Sequence, residues 1–286
     1  MTASTFGVGQ MIADAVERGC RHIMVGLGGS ATTDAGTGML QALGWRFIDA
    51  HGNELEGCGL TLAKIHTIIA PPDINTLRGV RFTAMCDVDN PLYGPRGAAH
   101  VFAPQKGADA RQVELLDAGL RHFVKVCQVT SPDSNSRQEM PRQDMADKAG
   151  DGAAGGLGFA MRRFLGAGTV SGIDAVLDIA GFDTALQGAA LVITGEGRLD
   201  DQTLAGKAPA GILRRARRAG VPVAAIGGTT DPAAKQRLLE AGFATVTAAT
   251  PADLPLAQAL QANVAAANLR AATAKQLADF WARMYG

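Results

Sequence analysis

The chain has 286 residues, with 27 Lys and Arg against 27 Asp and Glu, 47% hydrophobic and 19% charged residues. Such a length holds one large domain or two medium ones and buries enough surface to stand without disulfides or a structural metal. The composition excludes wholesale disorder, and a net charge of zero argues against a protein that coats nucleic acid.

In chain order, a helical period over residues 6–17 is followed by a β-rich apolar run at 23–27 and a helix over 35–42. Strand-like runs at 82–86 and 99–103 precede a helical stretch over 110–127. Residues 130–147 carry Pro132, Pro141 and few apolar side chains, and read as a loop or interdomain hinge. Helices are expected over 157–165, 173–186, 211–218 and 234–240, with strands at 191–194, 221–226 and 244–247 between them. Residues 256–284 read as one or two long helices, with apolar positions at Leu256, Leu260, Val264, Leu269, Leu277 and Trp281. Apolar strands alternating with helices predict an α/β protein with a mainly parallel sheet. No apolar run approaches the ~18 residues of a membrane span, and the opening residues lack a signal-peptide plan. Cys20, Cys58, Cys86 and Cys127 are widely spaced with no C-x-x-C pair, which suits a reducing cytoplasm.

Glycine is the compositional outlier: 36 residues, where about 7% of a chain is usual. The first cluster follows strand 23–27 as Gly26-Leu27-Gly28-Gly29-Ser30-Ala31-Thr32-Thr33-Asp34-Ala35-Gly36. Glycine lets a backbone approach a ligand, and the N–H groups opening the next helix favour an anion. Gly28, Gly29, Ser30, Thr32 and Thr33 are therefore candidate phosphate-binding residues, with Asp34 an N-cap or a metal-facing carboxylate; a plain capped strand-to-helix turn is the alternative. Strand 82–86 runs into Asp87-Val88-Asp89-Asn90-Pro91, where alternate carboxylates could face one metal site or simply end the strand in a turn. Asp151-Gly152-Ala153-Ala154-Gly155-Gly156 opens another helix and makes Gly155 and Gly156 a second candidate anion seat. Past strand 191–194, Gly195-Glu196-Gly197-Arg198-Leu199-Asp200-Asp201-Gln202-Thr203 reads as an acid-rich loop, with Gly206-Lys207 adding a cation. In open α/β sheets ligands sit at the carboxyl ends of strands, where carboxylates hold Mg²⁺ or take a proton and an Arg grips a carboxylate or phosphate. There is no G-x-x-x-x-G-K-[ST] loop, and the dinucleotide fingerprint is met only in relaxed form. A phosphate-handling enzyme outside the common motif classes is the reading these turns favour.

Five strings in order resemble the type I glycerate kinases: 28–40 (GGSATTDAGTGML), 86–92 (CDVDNPL), 102–108 (FAPQKGA), 155–160 (GGLGFA) and 194–203 (TGEGRLDDQT). The resemblance covers nearly the whole chain. It implies ATP-dependent phosphorylation of D-glycerate to a phosphoglycerate, with Mg²⁺, in a cytoplasmic enzyme of two α/β domains. Residues 1–43 and 170–286 would form the flavodoxin-like domain, and 44–169 the domain inserted into it. Within that implied activity, Asp200 is expected to accept the hydroxyl proton and Arg198 to hold the glycerate carboxylate. Glu196, Asp87 and Asp89 are expected to serve Mg²⁺, and Lys207 and the glycine loops to hold phosphate. Family members open with an A-P-D-S-F-K strand and a D-G-G-E-G-T loop that this sequence lacks. The resemblance therefore predicts a missing segment ahead of Met1, from a late start, a fragment or a divergent short form, and a sheet edge open to homodimer pairing. The competing readings are a non-catalytic nucleotide or hydroxy-acid binding form, and a kinase for another small hydroxy acid.

Overall fold

Apolar β-rich runs lie side by side in two parallel sheets of this computed structural model, which describes residues 1–72, 74–129, 148–204 and 206–285. The expected hinge at 130–147 lies outside the described residues. The chain divides into two units, Met1–Gly172 and Ile173–Gly286.

The first unit contains α1 (Phe6–Glu17), β1 (His22–Gly26), α2 (Thr37–Ala42), β2 (Arg46–Ile48), β3 (Glu54–Leu55), β4 (Thr67–Ile69) and β5 (Arg81–Met85). It continues through α3 (Ala98–Phe102), α4 (Ala110–Val129), α5 (Leu157–Leu165) and β6 (Gly168–Val170). β1, β5 and β6 form a parallel sheet in that order, Ile23 opposite Phe82 and Ala84 opposite Thr169. β3, β2 and β4 form a small antiparallel sheet. These strands of two or three residues are too short to show a period, which is why the sequence does not announce them. The core is built on a chain of aromatic contacts: Phe123 meets Phe47, Phe159 and Phe164 at centroid distances of 6.1, 6.2 and 6.3 Å, and Trp45 meets Phe164 at 6.0 Å. Residues 99–102 of the stretch 99–103, expected as a strand, are helical in α3, and Ala103 caps it. Alanine favours a helix, and the fully buried Ala98 and Ala99 let α3 lie close to α4.

Residues 1–43 belong to the same unit as 44–172, because β1 bonds along β5 and α1 packs on α2. This differs from the expected domain boundaries, which joined 1–43 to 170–286.

α6 (Gly172–Ile179) crosses into the second unit and is followed by α7 (Phe182–Ala185); Gly181, at φ +65°, breaks the single helix expected over 173–186. Then come β7 (Val192–Leu199), α8 (Ala208–Arg218), β8 (Val223–Thr230), α9 (Pro232–Ala241), β9 (Thr245–Ala248), α10 (Leu256–Ala259) and α11 (Ala262–Tyr285). β7, β8 and β9 are parallel, and Leu199, Leu213, Val223, Ala225, Leu238 and Val246 pack around them. Arg215 of α8 bonds Asp174 and Asp178 at 3.1 and 2.6 Å, which ties α6 to α8 and raises the guanidinium further above its ordinary value.

The first part of the stretch expected as an acid-rich loop, 195–199, is the second half of β7, and only 200–203 turn away from the sheet. Glycine makes this extension work: a Cβ at Gly195 would stand 2.7 Å from the Ile226 carbonyl oxygen, and one at Gly228 2.6 Å from that of Gly197. Bare backbone lets β7 and β8 pair to their ends, with Glu196 opposite Gly227 and Arg198 opposite Thr229.

Candidate active site

In the first unit the chain leaves the sheet after Leu27, whose N–H bonds the Met85 carbonyl. Gly28 and Gly29 follow, with open space where a side chain would be, and Gly29 at φ +70° turns the backbone. Ser30 and Thr32 close the loop on themselves: their hydroxyls lie 2.9 Å apart, and the Thr32 N–H bonds Ser30 Oγ at 3.1 Å. Lys106 donates to the Thr32 carbonyl at 2.6 Å from a segment 74 residues away. Gly28, Gly29, Ser30, Phe102, Lys106 and Ala154 are among the residues that line a pocket of about 200 Å³. Thr33, one residue further, is buried, in contrast to the half-buried Ser30 and Thr32.

Asp34 turns inward. It is fully buried and accepts from the Thr5 N–H and hydroxyl, both at 2.8 Å, and from the Gly36 and Gly38 N–H groups at 3.1 and 3.3 Å. Burial raises its carboxyl above the ordinary value, and those four donors partly offset the rise. Asp34 thus joins the start of α1 to the start of α2; it is neither metal-facing nor exposed.

Gly155 and Gly156 are buried as well. A Cβ on Gly155 would overlap the Thr32 carbonyl oxygen, and one on Gly156 would stand 2.7 Å from Ala35 Cα; both sit at positive φ. The Gly155 carbonyl accepts the Ala35 N–H at 3.0 Å. The pair supports the 28–36 loop from behind. The segment is anchored by Asp151, whose buried carboxylate takes two bonds from Arg162 of α5, at 2.8 and 2.5 Å. Gly155→Ala is accordingly expected to lower the melting temperature by several degrees, through overpacking of about 1–3 kcal/mol and a strained φ. A direct phosphate contact would instead show as lost anion affinity with an unchanged melting temperature.

The two aspartates after β5 diverge. Asp87 accepts from Ser171 Oγ at 3.0 Å and from the Gly172 N–H, the first of α6, at 2.8 Å. Asp89 pairs with Arg96 at 3.2 Å on the surface. Each therefore has a partner of its own, and among the described residues no group of three or more His, Cys, Asp or Glu could hold a metal ion.

In the second unit, charge gathers at the carboxyl ends of β7 and β8. Glu196 accepts a short hydrogen bond from the buried hydroxyl of Thr203. Asp200 begins a tight turn: its carboxylate takes the Gln202 N–H at 3.0 Å and its own N–H reaches Thr203 Oγ1 at 3.1 Å. Lys207, the residue that opens α8, places its Nζ 3.8 Å from both Glu196 Oε2 and Asp200 Oδ1. Arg198 lies 3.8 Å from Asp200 and 4.0 Å from Asp231, largely exposed. Asp231 caps α9 by accepting from the Ala233 and Ala234 N–H groups, which hold its carboxyl below the ordinary value. Glu196, Arg198, Asp200 and Lys207 are thus brought together. No role is legible in the sequence for Thr203, Asp231 or Lys106; Thr203 and Lys106 fall inside family-like segments, 194–203 and 102–108, and Asp231 in none.

A family model described as the glycerate kinase family matches residues 1–282. The chain belongs to the glycerate kinase family. It is 40% identical over 284 residues to a protein named glycerate kinase from Bacillus cereus (strain ATCC 10987 / NRS 248), an alignment covering 98% of this chain and 70% of that one. A glycerate 2-kinase of Escherichia coli (strain K12) is 37% identical over 250 residues, 86% of this chain and 63% of the other. A crystal structure described as a glycerate kinase 2 from Salmonella typhimurium LT2 superposes with a TM-score of 0.70 at 38% identity, covering 86% of this chain and 61% of that one. This member of the glycerate kinase family thus spans between 61% and 70% of the length of these three relatives. The α/β class with parallel sheets, expected from the alternation of strands and helices, holds.

Proposed function

We propose that this chain carries out ATP-dependent phosphorylation of D-glycerate. The observation that supports this reading is the gathering of Glu196, Arg198, Asp200 and Lys207 at the carboxyl ends of parallel strands, in a chain 40% identical to a glycerate kinase. Phosphoryl transfer asks a protein mainly for positioning and charge neutralisation. Asp200, held by the Gln202 N–H, accepts the proton of the attacking hydroxyl. Arg198, exposed and adjacent, grips the glycerate carboxylate through its guanidinium fork. Lys207 is a mobile-ended cation for a phosphoryl oxygen. In the first unit, the open backbone of Gly28 and Gly29, with Ser30 and Thr32, cradles phosphate.

Glu196 suits Mg²⁺: its carboxylate already faces one cation, Lys207, at 3.8 Å, and Mg²⁺ is usually held by one or two carboxylates plus phosphate oxygens and water. Bound there, Mg²⁺ would neutralise charge on the phosphates. Asp87 and Asp89, each with its own partner, are weaker candidates. Four cysteines without disulfides accord with a cytoplasmic site of action.

The test is D-glycerate-dependent formation of ADP and phosphoglycerate from ATP in the presence of Mg²⁺. Formation of both in equal amounts supports the proposal. Nucleotide binding without turnover would reassign the chain as a binding form, and turnover with a different hydroxy acid alone would reassign the substrate.

A further inference from the structure

Lys106 is a half-buried cation that the roles above leave unused. Burial pulls its ammonium below the ordinary lysine value. Among the described residues no carboxylate lies within ion-pair distance of it. The carboxylate that acts on it from further off is Asp34, already committed to Thr5, Gly36 and Gly38. Its one hydrogen bond among the described residues goes to the neutral Thr32 carbonyl at 2.6 Å. A charge partly taken from water without an opposite charge at contact distance is costly, and an anionic group bound beside it would offset that cost.

The surroundings define the ligand's chemistry. Lys106 lines the same pocket of about 200 Å³ as Gly28, Gly29 and Ser30. Nothing stands within 4 Å of the positions a side chain would take at Gly28 and Gly29, so a ligand can approach the main chain there. Their N–H groups have no acceptor among the described residues. Main-chain N–H groups beside an ammonium make an anion seat. The remaining lining is Gln105 and the apolar Leu27, Val88, Phe102, Ala153 and Ala154, which offer an anion no competing charge.

We infer that Lys106, together with the Gly28 and Gly29 N–H groups, binds an anionic oxygen of a substrate, a phosphoryl oxygen of the nucleotide or the carboxylate of the hydroxy acid. The inference deepens the proposed function by adding a contact residue to the first unit. The Thr32 bond gives Lys106 a second duty, because it holds the ammonium and the loop together before the ligand arrives.

The test compares Lys106→Gln and Lys106→Arg with the wild-type chain in three measurements: calorimetric binding of inorganic tripolyphosphate, calorimetric binding of D-glycerate, and the KM values for ATP and glycerate. Lys106→Gln keeps a hydrogen-bond donor for Thr32 and loses the charge. It is expected to bind one of the two anions about 10- to 100-fold more weakly, the loss typical of one charge-assisted hydrogen bond. Lys106→Arg is expected to recover most of that affinity. A selective loss for tripolyphosphate, with a raised KM for ATP, assigns the seat to the nucleotide; a selective loss for glycerate assigns it to the hydroxy acid. Binding of both anions by Lys106→Gln at wild-type affinity overturns the inference, as does a loss that merely tracks a lowered melting temperature and is not recovered in Lys106→Arg. Wild-type chain that binds neither anion overturns it as well. Lys106-dependent anion binding in a chain without glycerate-dependent turnover leaves this inference standing and removes the proposed reaction.

Discussion

Asp200→Asn is expected to lower kcat by about 10²–10⁴-fold, the range attached to a positioned general base. The substitution is chosen because it spares the local structure. Asp200 begins its turn by accepting the Gln202 N–H at 3.0 Å, and an asparagine oxygen accepts the same bond. Its backbone N–H to Thr203 Oγ1 is untouched. What disappears is the carboxylate that takes the proton and faces Lys207 at 3.8 Å. A group that acts chiefly in the transition state lowers kcat and kcat/KM together and leaves the KM for glycerate nearly unchanged. Glu196→Gln keeps an acceptor for the Thr203 hydroxyl and is expected to fall in the same direction, with a raised requirement for Mg²⁺. Asp201 is the control. It is the adjacent acid, yet its carboxylate pairs with Arg237 at 2.6 Å on the surface, so Asp201→Asn should retain wild-type turnover. Wild-type kcat in Asp200→Asn, measured with saturating ATP and Mg²⁺, would remove this residue from the reaction.

Asp34→Ala is expected to be strongly destabilising. Four donors converge on this fully buried carboxylate, two from Thr5 and one each from Gly36 and Gly38. Alanine leaves all four buried with no acceptor, at about 1–3 kcal/mol for each one that does not find water. A loss of at least about 3 kcal/mol is a large share of a net stability of about 5–15 kcal/mol. For a chain of this size the melting temperature should drop by roughly 6–12 °C. The pH dependence has a definite sign. The folded Asp34 carboxyl is raised above its ordinary value, so folding favours its protonated form. That contribution is complete below the ordinary carboxylate range and is lost as pH rises through the raised folded value. Asp34→Asn cannot titrate and lacks the term, so its cost relative to wild type should be largest in acid and smaller near neutrality. Thermal melts of Asp34→Ala within a degree or two of wild type would show that the four donors are satisfied some other way.

The helices over 6–17 and 157–165 match their expected limits to the residue, because their apolar spacing and flanking residues are local signals. The strands at β1, β5, β8 and β9 are similarly legible as apolar runs, and their alternation with helices is enough to call for parallel sheets. Gly28 and Gly29 can be recognised as an open turn, since glycines after a buried strand have few other uses. Glu196, Arg198, Asp200 and Lys207 are legible as one charged cluster because they lie within 12 residues of chain, in and just past a single strand.

Tertiary structure decided the rest, and each case turns on a partner far away in the chain. Gly155 and Gly28 have the same composition cue, but the Thr32 carbonyl packs on Gly155 and leaves it no face for a ligand. Asp34 looks like an exposed cap until Thr5, 29 residues earlier, is placed against it. Asp87 and Asp89 alternate as a metal pair would, yet Ser171 and Arg96 draw them to different places. Lys106 is one lysine among many until it meets Thr32 across 74 residues and a pocket opens beside it. Period, caps and glycine turns are properties of neighbouring residues, so they are written in order along the chain. The direction of a carboxylate or an ammonium is set by whichever segment folds against it, and that pairing exists only once the sheets have formed.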